Sequence, residues 1–175
     1  IGVVLLVVIL LAWSRRLLRE CGRGVVFQRG RFWRVKGRGL VAHLAMSGHD
    51  RGLMGRLAAD PAQPFDILMF RYNAAHRGAE AEILPFVAPA NRPGTIAYTA
   101  TRWGRLLDPN RMPEGERCPA AADCYRFALT DPRVDMVLAG PANDRELDEA
   151  LLALDRGPLE QDELARLRRI GDHVR

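Results

Sequence analysis

The sequence predicts an α/β fold: part of a β/α barrel, about four parallel strands each followed by a helix, behind an N-terminal hydrophobic helix and a short β hairpin. Three observations predict it. From Val41 onward, short β-rich runs alternate with helical periodicity, the signature of β/α units. Each run closes on polar or glycine residues, where barrels of this kind place their chemistry. Composition also changes abruptly near Gly39–Val41. From Arg15 to Arg38 nine basic residues accompany one acid, Glu20, whereas from Val41 onward 17 basic residues stand against 20 acidic ones.

The whole chain has 175 residues, enough for one domain or a small domain with an appendage. Hydrophobic residues at 48% and charged residues at 27% exclude a disordered or collagen-like chain. Three scattered cysteines exclude a disulfide-stapled mini-protein, and their odd count points to a reducing compartment. Cys118 and Cys124 have no nearby Cys or His at zinc-ligand spacing, so no metal site is assigned. The formal net charge of +5 describes no single surface. Lys36 is the one lysine. Such an arginine bias, with abundant Ala, Gly and Pro, fits a GC-rich genome better than a nucleic-acid surface, and no nucleic-acid partner is expected.

Residues 1–14 read as a membrane-anchor-like helix. Ile1–Trp13 is unbroken apolar sequence followed by Ser14-Arg15-Arg16. As a helix it would span roughly 20 Å, short of the ~30 Å hydrocarbon core, and a chain opening on Ile suggests that more apolar sequence precedes it. A signal peptide would carry its charges before the apolar run. A buried strand or core helix is the alternative. The anchor is preferred because Arg15, Arg16 and Arg19 form the basic cluster expected on the cytoplasmic side. Membrane association, with the C-terminal part cytoplasmic, is therefore expected.

Residues 15–40 form a basic β segment. Val25–Phe27 and Arg31–Val35 read as two strands around Arg29-Gly30. Arginines interleaved with Phe32 and Trp33 suit a face beside anionic headgroups. The run Arg23-Gly24-Val25-Val26-Phe27, with Gly30-Arg31-Phe32, Val35-Lys36-Gly37 and Gly39-Leu40, resembles the start of the stomatin/slipin family. That resemblance implies a membrane-inserted N-terminus leading into a Band 7 (SPFH) domain. Arg38 stands where that family usually has proline, and nothing after Leu40 continues the Band 7 domain.

The third part, residues 41–175, alternates. His43–Met46 is a strand, and Arg51–Ala59 a helix capped by Asp50. Phe65–Phe70 is a strand with a helix near Ala74–Leu84 behind it. Thr95–Tyr98 is a strand opened by Pro93-Gly94, and Pro119–Leu129 a helix with proline in its first turn. Val134–Ala139 is the last strand. Asn143 and Glu146 have capping-box spacing ahead of a Leu147, Leu151, Leu154 stripe, which Gly157-Pro158 stops. A final helix covers about Gln161–Ile170. Leu44, Met46, Leu68, Ile96 and Val137 are expected to face the barrel interior. With four strands and helices on one side only, two edges and the inner face lack cover, so self-association is expected.

The strand ends Ser47-Gly48-His49-Asp50, Arg71-Tyr72-Asn73, Tyr98-Thr99-Ala100-Thr101 and Gly140-Pro141 resemble the last four strand ends of an aldo/keto reductase. Ala121–Phe127 and the ending Arg169-Ile170-Gly171-Asp172-His173-Val174 belong to the same resemblance, which implies the C-terminal half of a TIM β/α barrel. In that family an Asp, Tyr, Lys and His tetrad supports hydride transfer from NADP or NAD to a carbonyl. The tetrad lies in the half with no counterpart here, so no catalytic residue is assigned and the fragment is expected to be catalytically incompetent alone. The resemblance gives Ser47 the nicotinamide carboxamide, and Met69 the place of the usual Gln. Tyr98 takes the stacking aromatic, while Thr99, Ala100, Thr101 and Arg102 take the pyrophosphate loop. Gly140, Asn143 and Glu146 take the adenine end. Glu146 falls where many NADP users carry Arg, with Arg145 beside it. Two alternatives stand beside this reading: a membrane-associated slipin-like structural protein with a passenger half-barrel, or a non-natural fusion of two partial reading frames.

Overall fold

The computed structural model describes residues 43–87 and 92–175, together with the backbone of two N-terminal strands. The expected anchor helix at 1–14 lies outside the described residues. Among those described, no helix is long and apolar enough to cross a membrane. The chain divides into two units at Leu44/Ala45.

In the first unit, β1 (Gly24–Gln28) and β2 (Arg31–Lys36) pair antiparallel, from Gly24 opposite Lys36 to Gln28 opposite Arg31. The register slips between Val26 and Phe27. An extra residue on one strand makes such a slip and sharpens local twist. The expected hairpin strands are both present, each slightly longer than the sequence indicates.

The second unit is a sheet of four parallel strands in chain order, β3-β4-β5-β6. Its strands are β3 (Ala45–Gly48), β4 (Ile67–Arg71), β5 (Gly94–Tyr98) and β6 (Met136–Val137). Between and after them run α1 (Arg51–Ala59), α2 (Ala79–Glu82), α3 (Ala121–Leu129), α4 (Asp144–Arg156) and α5 (Gln161–Val174). The α/β half-barrel expectation holds. Helix α1 has the predicted bounds because Asp50 accepts from Leu53 N at 2.9 Å and closes its first turn.

Three elements differ most from expectation. Strand β3 runs over Ala45–Gly48 rather than His43–Met46, which brings Ser47 and Gly48 into the strand. The helix expected over Ala74–Leu84 shrinks to α2 and a 3₁₀ turn at Leu84–Phe86. The cause is Asn73, whose Oδ1 accepts from the backbone N–H groups of Ala75 and His76 and holds them in a turn. The last strand contracts to Met136–Val137.

Strand faces also depart from the sequence reading. Met46, Leu68, Phe70, Thr95 and Ala97 are buried on one face. Ser47 pairs with Met69, Met69 with Ile96, and Ile96 with Met136 on the other, more open face. Of the residues expected to face the barrel interior, Ile96 does. Met46 and Leu68 lie on the buried face instead, and Val137 sits beside Ala97 there. An error of one residue inverts every side chain in a strand. β4 is apolar on both faces over Ile67–Phe70, so alternation could not set its phase.

Helix α5 locks the far end of the unit. Its Leu167, Ile170 and Val174 are buried, and Gly171 lies so close to the Ala74 carbonyl that a Cβ there would collide with backbone. Arg77 donates to the carbonyls of Ala74 and Arg168 and to Asp172, joining the turn after β4 to this helix. Buried Arg126 on α3 donates to both carboxylate oxygens of Glu163 and to the carbonyls of Gly157 and Pro158, tying α3 to the α4–α5 connection.

Candidate functional site

The site is built at the C-terminal ends of β3, β4 and β5, where parallel strands end side by side. Register sets Ser47 beside Met69 and Arg71 beside Tyr98. The Tyr98 hydroxyl donates to the Gly48 carbonyl at 3.1 Å and lies 2.9 Å from His49 Nδ1. The two rings meet edge-on, with centroids 5.9 Å apart and planes at 79°. Burial pushes the Tyr98 phenol above its ordinary range, opposed by the Arg71 charge and the Ser47 hydroxyl. At neutral pH the phenol is therefore a donor, and its ring is held at the sheet end by partners on β3.

The loop after β5 is strained. Thr99, Arg102 and Trp103 have φ of 57°, 53° and 53°, and Gly104 follows at 81°. Non-glycine residues in this region cost on the order of 1–3 kcal/mol each and cluster at ligand sites. Asn73 stabilises the bend by donating from Nδ2 to the Thr99 carbonyl at 2.8 Å, linking the turns after β4 and β5. Arg102 N donates to the same carbonyl at 2.9 Å. Thr101 Oγ1 accepts from Gly104 N at 3.4 Å. The Ala100 side chain faces inward, buried with Ala122, Tyr125 and Ala153.

Arg102 is the unusual member. Its side chain is buried, with 8% of the residue exposed, and its Nε and Nη1 have no hydrogen-bond partner among the described residues. Burial, then the charges of Arg105, Arg111 and Arg71, hold its guanidinium below the usual arginine range. Arg111 pairs with Asp108. Among the described residues no carboxylate lies at ion-pair distance from Arg71, Arg102 or Arg105. His76 lies in the same field: burial, followed by Arg71, Arg102, Arg175 and Arg51, pushes it down to about 4. An unpaired buried guanidinium among other cations is stabilised by an anion with several acceptor oxygens.

The segment after β6 behaves differently. Asn143 Oδ1 accepts from Glu146 N at 3.0 Å, and the Glu146 carboxylate accepts from Ala142 N at 2.8 Å and from Asn143 Nδ2 at 3.2 Å. This helix start therefore already carries its own anion. Gly140 is exposed, with open space around it. Ser47, Met69, Tyr98 and the 99–102 loop are drawn together through β3–β5, whereas Gly140, Asn143 and Glu146 make a separate local cap. Sequence reading had no role for Asn73, although its place two residues past a strand end is turn chemistry of a familiar kind. It also passed over Arg71, which only strand register brings beside Tyr98.

Similarity to solved structures lies in the fold. An aldo-keto reductase from Bacillus halodurans matches in its holo form with a TM-score of 0.57 and 16% identity over 75% of this chain and 51% of that one. Its apo form gives 0.57 and 16% over 75% and 52%. A thermostable aldo-keto reductase in complex with the inhibitor epalrestat gives 0.54 and 21% over 75% and 49%. The chain thus spans about half the length of these structures, and the part it shares with them is an aldo-keto-reductase-like half-barrel. No protein-family model and no curated protein matches the sequence, so the slipin resemblance of about residues 1–40 gains no support from comparison.

Proposed function

We propose that the half-barrel is a dinucleotide-binding platform of the aldo/keto reductase type that carries no carbonyl-reducing activity by itself. The observation that supports it is the buried Arg102 guanidinium, with Nε and Nη1 unpartnered, in the strained loop that the resemblance gives to the pyrophosphate. Residues fit the group unevenly. Arg102 would hold the pyrophosphate through its unpartnered Nε and Nη1. Tyr98 would support the nicotinamide ring, and the exposed Ser47 hydroxyl its carboxamide. Met69 replaces an amide with a thioether and offers only weak acceptance.

At the adenine end, the Glu146 carboxylate already occupies the helix start, which opposes a 2′-phosphate by charge. The reading therefore favours NAD over NADP. A bound nicotinamide supplies hydride chemistry, but the Tyr and Lys that protonate a carbonyl in the reductases have no equivalent here. Titration of the full chain with NADH, followed by fluorescence, tests the platform. Binding by wild type and its loss in Arg102→Met are the expected results. Equal affinity of the two proteins, or none in either, would reject it.

Membrane attachment through residues 1–14 is a separate proposal, supported by the apolar run and its Arg15, Arg16, Arg19 flank.

A further inference from the structure

We propose that the β6 edge and the leucine face of α4 dock the β3 edge and α1 of a second copy of this chain, so that two half-barrels close into one ring. Among the described residues the sheet has two unpaired edges, because there β3 pairs with β4 alone and β6 with β5 alone. At the β6 edge and on α4 several large apolar side chains are exposed. Met136 is 52% exposed and Leu138 41%. On α4, Leu147, Leu151 and Leu154 recur at i, i+4 and i+7 with exposures of 44%, 48% and 69%. The helix packs through a different face, with Ala150 and Ala153 against Ala122 and Tyr125 of α3. Its leucines are left over from that contact.

Charge identifies the occupant. Helix α4 has five acids, Asp144, Glu146, Asp148, Glu149 and Asp155, against Arg145 and Arg156. Helix α1 has Arg51 and Arg56 and no acid. Arg51 already meets Glu82 at 2.7 Å. Arg56 is exposed, and no carboxylate among the described residues pairs with it. In a ring of β/α units each helix lies beside the helix of the next unit. Closing two copies thus sets the acidic, leucine-bearing α4 of one against the basic α1 of the other, whose Leu53 and Leu57 are half-buried four residues apart.

A two-fold axis along the ring keeps all strands parallel and repeats the same contact twice, so no edge remains. Strand faces agree as well: Met46 and Val137 lie on the buried side of their strands, Ser47 and Met136 on the open side.

The test is sedimentation equilibrium of the full chain in a mild detergent. Wild type should have twice the monomer mass of 19.5 kDa. Leu151→Glu with Leu154→Glu should weaken dimerisation at least about tenfold, and Arg56→Glu should do the same from the other side. All three side chains are exposed, and unchanged circular dichroism verifies that the variants fold. A monomeric wild type, or dimers that survive the leucine changes, would overturn the proposal. Dimers that survive Arg56→Glu but not the leucine changes would mean that α4 packs on its own copy, and would overturn it as well.

Discussion

Replacing Arg102 by methionine should make the protein more stable when no anion is present. Nearly every arginine-to-methionine change in a folded interior removes useful hydrogen bonds. Here Nε and Nη1 have none to lose. A buried donor without a partner costs about 1–3 kcal/mol, so removing two of them relieves roughly 2–6 kcal/mol at most. Methionine fills less of the space and leaves the φ of 53° unchanged, which brings the net gain down to about 1–3 kcal/mol. For a chain of this length that is roughly 2–10 °C in melting temperature. An anion reverses the ranking. Pyrophosphate or NADH at a hundred times its dissociation constant stabilises the wild type by about 2.7 kcal/mol and the variant by little. The assay is thermal unfolding in phosphate-free buffer, repeated across a pyrophosphate series. A variant that melts below wild type without anion, with pyrophosphate shifting both alike, would show that the guanidinium is already satisfied and refute the anion-site reasoning.

Other outcomes follow from the same contacts. His76 is pushed down to about 4, by burial first and then by neighbouring arginines. It is thus neutral when folded and protonates on unfolding, so its contribution is complete above about pH 6.5 and is lost as pH falls toward about 4; urea midpoints of His76→Gln should flatten over that window. Arg126→Ala should cost about 1–3 kcal/mol in denaturant unfolding, because it leaves the Gly157 and Pro158 carbonyls without their donor while the half-exposed Glu163 is taken over by water, and Arg126→Lys should recover only part, lacking the planar fork. The purified chain should reduce no aldehyde or ketone with NADH or NADPH; turnover of methylglyoxal above a heat-killed control would contradict the absent tetrad. Deleting residues 1–13 should shift the protein from membrane pellet to supernatant, and release of the full chain by high salt alone would point to electrostatic attachment instead.

The sequence by itself determined what depends on neighbours along the chain. Asp50 caps α1, Asn143 and Glu146 close the first turn of α4, and Gly157-Pro158 ends it, each through contacts within a few residues. The order of strands and helices was legible for the same reason, as was the placing of Ser47 and Tyr98 at strand ends. Tertiary structure decided the rest. Asn73 converts a helical pattern into a turn because its amide also reaches Thr99, 26 residues away. Strand phase in β4 depends on which side the helices cover, since Ile67, Leu68, Met69 and Phe70 read alike on both faces. Arg102 looks like any loop arginine until the charges of Arg105, Arg111 and Arg71 act on it and, among the described residues, no carboxylate pairs with it. Leu147, Leu151 and Leu154 read as an amphipathic stripe, yet α4 packs through Ala150 and Ala153 and leaves them in water. Capping is local and carried by spacing, whereas burial and charge pairing are properties of residues far apart in the chain, and only the fold brings those together.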